Sequence, residues 1–156
     1  MKKVLLALIL AVSSAAFAQK QKVTVEDDII YVDGVEYATM EKKGSASPTY
    51  TIKSLAGAAL MSWQFYEFND PKEVENANPQ GRVTYYQVTF FGDKQQCEIK
   101  PTMVTQKGVA KCIVENELLK DGIIDQEAEN NFVLINGMKF TQQKQNTGGT
   151  TIIINN

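Results

Sequence analysis

The stretch Ile29-Ile30-Tyr31-Val32, Asp33-Gly34, Val35-Glu36-Tyr37-Ala38-Thr39-Met40 constrains the fold more than any other part of the chain. β-Branched and aromatic residues flank a two-residue Asp-Gly step. A type I′ turn needs positive φ at both central residues, which Asp tolerates and Gly adopts without steric cost. The pattern predicts an antiparallel hairpin with Val32 opposite Val35. That register sets Asp28, Ile30, Val32, Val35, Tyr37 and Thr39 on one face. Asp27, Ile29, Tyr31, Glu36, Ala38 and Met40 fall on the other.

The acids around this turn raise the question of a cation loop. An EF-hand places oxygen ligands at alternate positions before its glycine. Counting back from Gly34, those positions hold Asp33, Tyr31 and Ile29, so one of three fits. Asp28 and Asp33 would stand about 16 Å apart along extended chain, too far to share one ion within the hairpin. Asp33 is read as a turn residue, and no metal site is expected.

Strand patterns continue through Val23–Val25, Tyr50–Leu55, Leu60–Phe68, Val83–Phe91 and Gln96–Ile99, with Pro101 closing the series. Asn69–Gly81, polar and holding two prolines, reads as a long loop. The period then changes. Val104, Val109, Cys112, Ile113 and Asn116 fall near one face of a helix over 102–116. Leu118–Gly122 reads as a connector. Asp125 is placed to cap a second helix that would bury Ala128, Phe132 and Ile135 and stop at Asn136-Gly137. Strands first and helices last predict an α+β domain: a mainly antiparallel sheet of about six to eight strands, with two C-terminal helices packed on it. The domain is expected over residues 19–140. Residues 141–156 are expected to form a flexible tail with a terminal strand at Thr151, Ile152, Ile153 and Ile154.

The first 18 residues have the layout of a secretory signal peptide. Lys2 and Lys3 precede the apolar run Val4–Val12, and Ala16-Phe17-Ala18 provides a small-x-small cleavage site before Gln19. Export is therefore expected, to the periplasm or the medium. The mature chain would carry 138 residues, enough for one core, and no stretch in it is long and apolar enough to span a bilayer. Its formal charge is about −4 without a basic stripe, so nucleic acid is not an expected partner.

The chain contains no histidine. Ser-His-Asp, Cys-His and His-ligated metal chemistries are thereby excluded. No cofactor motif is found. The remaining acids leave paired-carboxylate hydrolysis of the glycoside type formally open, with Glu67 and Asp70 as the first pair to test. Solvated surface charge is the competing explanation for them.

Other candidates carry two readings each. Cys97 and Cys112 are the only cysteines. An exported chain with an even count points to one disulfide, against two buried free thiols. Without a C-x-x-C arrangement, such a bridge would be a staple and not a redox centre. The aromatic strands suggest either core or a stacking platform for a flat ligand such as a glycan. Trp63 and Phe65 share a face and read as core; Tyr66 and Tyr86 are assigned to the opposite, ligand-facing side. The isoleucine-rich end suggests self-association by strand pairing, against a frayed terminus. The function most consistent with all this is a non-enzymatic binding or envelope-associated module with a protein or glycan partner. The hydrolase and a strand-pairing assembly role stand as alternatives.

Overall fold

Val32 pairs with Val35 across Asp33 at φ 52° and Gly34 at φ 84°, so the expected I′ hairpin is present. The register shifts two residues later. Tyr31 pairs with Glu36, but Ile30 pairs with Ala38 and Ile29 with Thr39. This bulge reverses the alternation beyond it, so Ala38 and Met40 share the buried face with Ile30. Uninterrupted alternation had assigned them to opposite faces. The extra residue lets the Tyr37 hydroxyl donate to the Leu119 carbonyl at 2.7 Å.

The structure is a computed structural model that describes residues 21–147. The expected signal segment and the expected strand at Thr151, Ile152, Ile153 and Ile154 lie outside the described residues. Seven antiparallel strands form one sheet in strict sequence order. They are β1 (Val23–Glu26), β2 (Ile29–Val32), β3 (Val35–Lys43), β4 (Thr49–Lys53), β5 (Ala59–Asn69), β6 (Arg82–Phe90) and β7 (Gln96–Ile99). After them come α1 (Gln106–Glu115), a small hairpin of β8 (Leu119–Lys120) and β9 (Ile123–Ile124), then α2 (Gln126–Asn136) and α3 (Lys139–Thr147). The α+β class with C-terminal helices is as expected.

Two further tight turns use the same local chemistry. Asp27 and Asp28, at φ 48° and 62°, turn β1 into β2, with Glu26 facing Ile29. Asp121 and Gly122, at φ 52° and 77°, turn β8 into β9 inside the segment read as a plain connector. Short polar side chains tolerate this left-handed region better than most.

One sheet face is the main core. Met40, Ile52, Met61, Trp63, Val88, Phe90 and Cys97 lie on it, all fully buried. Val109, Ala110, Ile113 and Val114 cover it from α1, which packs against β1, while α2 packs against β7. Phe132 of α2 places its ring 6.2 Å from Trp63 and 6.4 Å from Phe90. Asp125 caps α2 as expected, accepting from Glu127 and Ala128 at 3.1 and 3.0 Å. Ile135, expected in the core, is 70 % exposed. The buried stripe instead runs through Ala128, Glu129, Phe132 and Val133, with an acid where an apolar residue is normally sought.

The other face carries a smaller cluster of Phe68, Val83 and Tyr85, with Tyr66 and Phe140 packed on it. Phe140 belongs to α3, which extends to Thr147 where a loose tail was expected from Thr141. Its own sequence is mostly polar. What orders it is tertiary: the Phe140 ring stacks on Tyr85 at 5.0 Å, and Gln143 donates to Asp70 at 2.7 Å.

Candidate functional site

The loop between β5 and β6 is built rather than loose. Asp70 caps a 3-10 turn over Pro71–Glu73 by accepting the Lys72 N–H at 2.9 Å. The Asn78 amide ties the loop to its exit, donating to the carbonyls of Glu73 and Arg82 at 3.1 Å each. It also accepts the Arg82 N–H at 2.8 Å. Gly81 closes the loop at φ 60°, where a Cβ would stand 2.1 Å from the Asp70 carbonyl oxygen. Only glycine fits this approach.

This ordered loop walls a cleft at the open end of the main-core face, with a volume of about 470 Å³. Ala77 and Asn78 form one wall, and Ser45, Ala46 and Pro48 of the β3–β4 loop form the other. Tyr50 and Phe65 lie at the floor, 2 % and 7 % exposed, so each offers only a small part of its ring. Lys42, Arg82 and Thr84 supply the polar rim. Among the described residues lining the cleft, two are cationic and none is acidic.

The expected hydrolytic pair does not converge. Glu67 shares the cleft's face of the sheet and is ion-paired with Arg82. Asp70 turns the other way, buried against α3 and held by Gln143. The Gln143 amide first, and then the Lys72 N–H, lower its carboxyl below the ordinary range. A second groove of about 410 Å³ lies there between the loop and α3. Its lining mixes Asp70, Lys72, Glu73 and Lys139 with amides, and the Gln143 amide already occupies both acids, donating to Asp70 at 2.7 Å and Glu73 at 3.3 Å.

Tyr66 lies on the face opposite Trp63, as expected, partly buried and stacked on Tyr85 at 5.4 Å. Tyr86 does not. Its cross-strand partner is Phe65, and it is 1 % exposed among Tyr50, Trp63 and Phe65. The β5–β6 register decides this, and a thirteen-residue connection left that register open in the sequence. Burial, then neighbouring Tyr50, raises the Tyr86 hydroxyl above the ordinary phenol range. Neither tyrosine lines the cleft. The residues missed were Lys42 and Arg82, ordinary surface types that only folding brings around one opening.

Both cysteines are free, and the expected disulfide is absent. Cys97 faces the core from β7 and Cys112 sits on α1, near enough to perturb it but unbridged. Burial first, then Cys112, pushes the Cys97 thiol up to about 12. Burial first, then Glu115, pushes Cys112 up to about 11. Both remain protonated and poorly nucleophilic near neutrality.

Among the described residues no helix is long and apolar enough to cross a membrane. Compared with family models, with curated proteins and with solved structures, the chain matches none of them.

Proposed function

We propose that this protein is an exported, non-enzymatic binding module whose ligand lodges in the cleft between the β3–β4 and β5–β6 loops. The observation that carries this reading is the lining: a small apolar floor under a rim that holds Lys42 and Arg82, the latter ion-paired with Glu67, in a chain of net charge −2. Lys42, in no salt bridge among the described residues, favours a small anionic ligand, and an acidic glycan unit fits both that charge and the floor. The layout of residues 1–18 supports export to the periplasm or the medium, where glycans are available partners.

Hydrolysis by Glu67 and Asp70 has less support, because the two acids serve opposite faces and each is already engaged. Assembly through Thr151–Ile154 rests on the sequence pattern alone.

Titration calorimetry with matched neutral and acidic oligosaccharides, and with inorganic phosphate, tests the proposal. Acidic sugars should bind, and Lys42→Ala or Thr84→Val should weaken them about tenfold, whereas Tyr66→Ala on the other face should not. Binding of phosphate alone would leave an anion site without glycan selectivity. Equal affinities for all ligands, or no effect of Lys42→Ala, would reject the cleft.

A further inference from the structure

Where α2 crosses the β6–β7 turn, the acid in its buried stripe meets a second acid. Glu129 is 1 % exposed. Its Oε2 accepts from Gln126 Nε2 at 3.3 Å, while its Oε1 is buried with no donor in reach. Gln126 Nε2 donates both to Glu129 Oε2 at 3.3 Å and to Asp93 Oδ2 at 3.2 Å, so the two carboxyl groups lie side by side around one donor. Asp93, exposed on the turn, is well supplied with donors. It accepts the Gln95 N–H at 3.1 Å, Gln95 Nε2 at 2.5 Å and Gln126 Nε2 at 3.2 Å.

Two carboxyl groups gathered this closely, one of them buried, share the site stably only when one of them holds a proton. The surroundings assign it. Asp93, facing water and three N–H groups, carries the charge. Glu129, buried and with one oxygen lacking any donor, carries the proton. We propose that Asp93 and Glu129 form a proton-held latch docking α2 onto the β6–β7 turn, closed while the pair shares a proton and loosened when that proton leaves.

The acid strengths agree with this geometry. Burial first, then Asp93, pushes the Glu129 carboxyl up to about 7. The Gln95 side chain and backbone, with Glu129 itself, hold Asp93 down at about 2. Facing Glu129 are Asp93 from the turn and the Cys97 thiol from β7, together with Gln126 of its own helix. Among the described residues neither acid has a salt-bridge partner, so ionised Glu129 would meet like charge with no offset. The stabilisation from Glu129 is complete below its ordinary 4.5 and is lost as pH rises through about 7. That from Asp93 is present above its ordinary 3.8 and is lost as pH falls through about 2. The latch is therefore tightest in mildly acidic solution and loosens toward neutrality. Loosening α2 would withdraw Phe132 from Trp63 and Phe90.

Amide hydrogen exchange at pH 5 and pH 8, corrected for intrinsic rates, tests this on the wild type, Glu129→Gln and Asp93→Asn. Wild-type protection in α2 should fall about tenfold or more between those pH values, with little change in β4 and β5. Glu129→Gln, whose amide donates to Asp93 at every pH, should remove that fall. Asp93→Asn should move it to lower pH, because the charge opposing ionisation of Glu129 is gone. A flat wild-type profile, or an unchanged pH dependence in Glu129→Gln, would overturn the latch. Asp93→Asn on the exposed turn keeps the test decisive should the buried variant fold poorly.

Discussion

The Glu98 carboxylate, buried in β7, holds the first turn of α3 by accepting the Thr141 N–H at 3.0 Å. It also accepts the Phe140 N–H at 2.8 Å and the Thr141 hydroxyl. A strand thus supplies the N-terminal cap that the helix's own sequence lacks. Glu98→Ala should lower stability by about 2 kcal/mol, combining loss of a cap with loss of charge-assisted hydrogen bonds. Urea unfolding measures the change. Tryptic cleavage after Lys139 and Lys144 should also accelerate, and an unaltered urea midpoint would deny the anchor.

Two glycines should respond differently to the same methyl group. At Gly81 an added Cβ collides with the Asp70 carbonyl and φ is positive, so Gly81→Ala should cost about 3 kcal/mol and disturb the cleft wall. At Gly34 φ is also positive but nothing lies within 4 Å, so Gly34→Ala should cost only about 1 kcal/mol. Thermal or urea unfolding of the two variants side by side reads the difference.

The thiols provide a chemical check. Denatured, unreduced protein should titrate two free thiols, while native protein at pH 8 should react slowly with both. Each thiol is raised well above its ordinary 9.0. Their stabilising share is therefore complete below 9 and is lost as pH climbs through about 11 to 12. Stability should accordingly decline above pH 9, and less so in Cys97→Ala/Cys112→Ala protein when each is compared with its own value at pH 7. A count of no free thiols would restore the disulfide.

On α2, Phe132→Ala should cost about 3–5 kcal/mol, because it removes a ring packed on Trp63 and Phe90. Ile135→Ser should stay within about 0.5 kcal/mol, because the side chain is largely in solvent. Equal losses would mean that the helix presents a different face.

Local chemistry made much of this fold legible. Asp33-Gly34 marked its turn, Asp125 its cap, and alternation identified Trp63 and Phe65 as core. What stayed hidden depends on partners distant in the chain. The bulge near Tyr37 answers to contacts on the sheet, and Tyr86 was misassigned because its neighbour is set by register across a long loop. Glu129 was passed over for Ile135 since an acid is rarely a core residue, and it becomes one here beside Asp93. The cleft was half visible: the Asn69–Gly81 loop was a marked feature, whereas Lys42, Thr84 and Tyr50 meet it only across the sheet.

Because β1 to β7 follow one another in order, no strand waits for a segment made much later. Each closes on its immediate predecessor, so the entropy of loop closure is met in small steps, the longest spanning Asn69 to Arg82. Assembly of the sheet can therefore keep pace with a chain emerging from one end. The helices come last, so the main-core face that α1 and α2 cover stands open until the final third of the chain arrives. Folding should show this as a delay between hairpin formation and burial of Trp63, separable by fluorescence in a stopped-flow experiment.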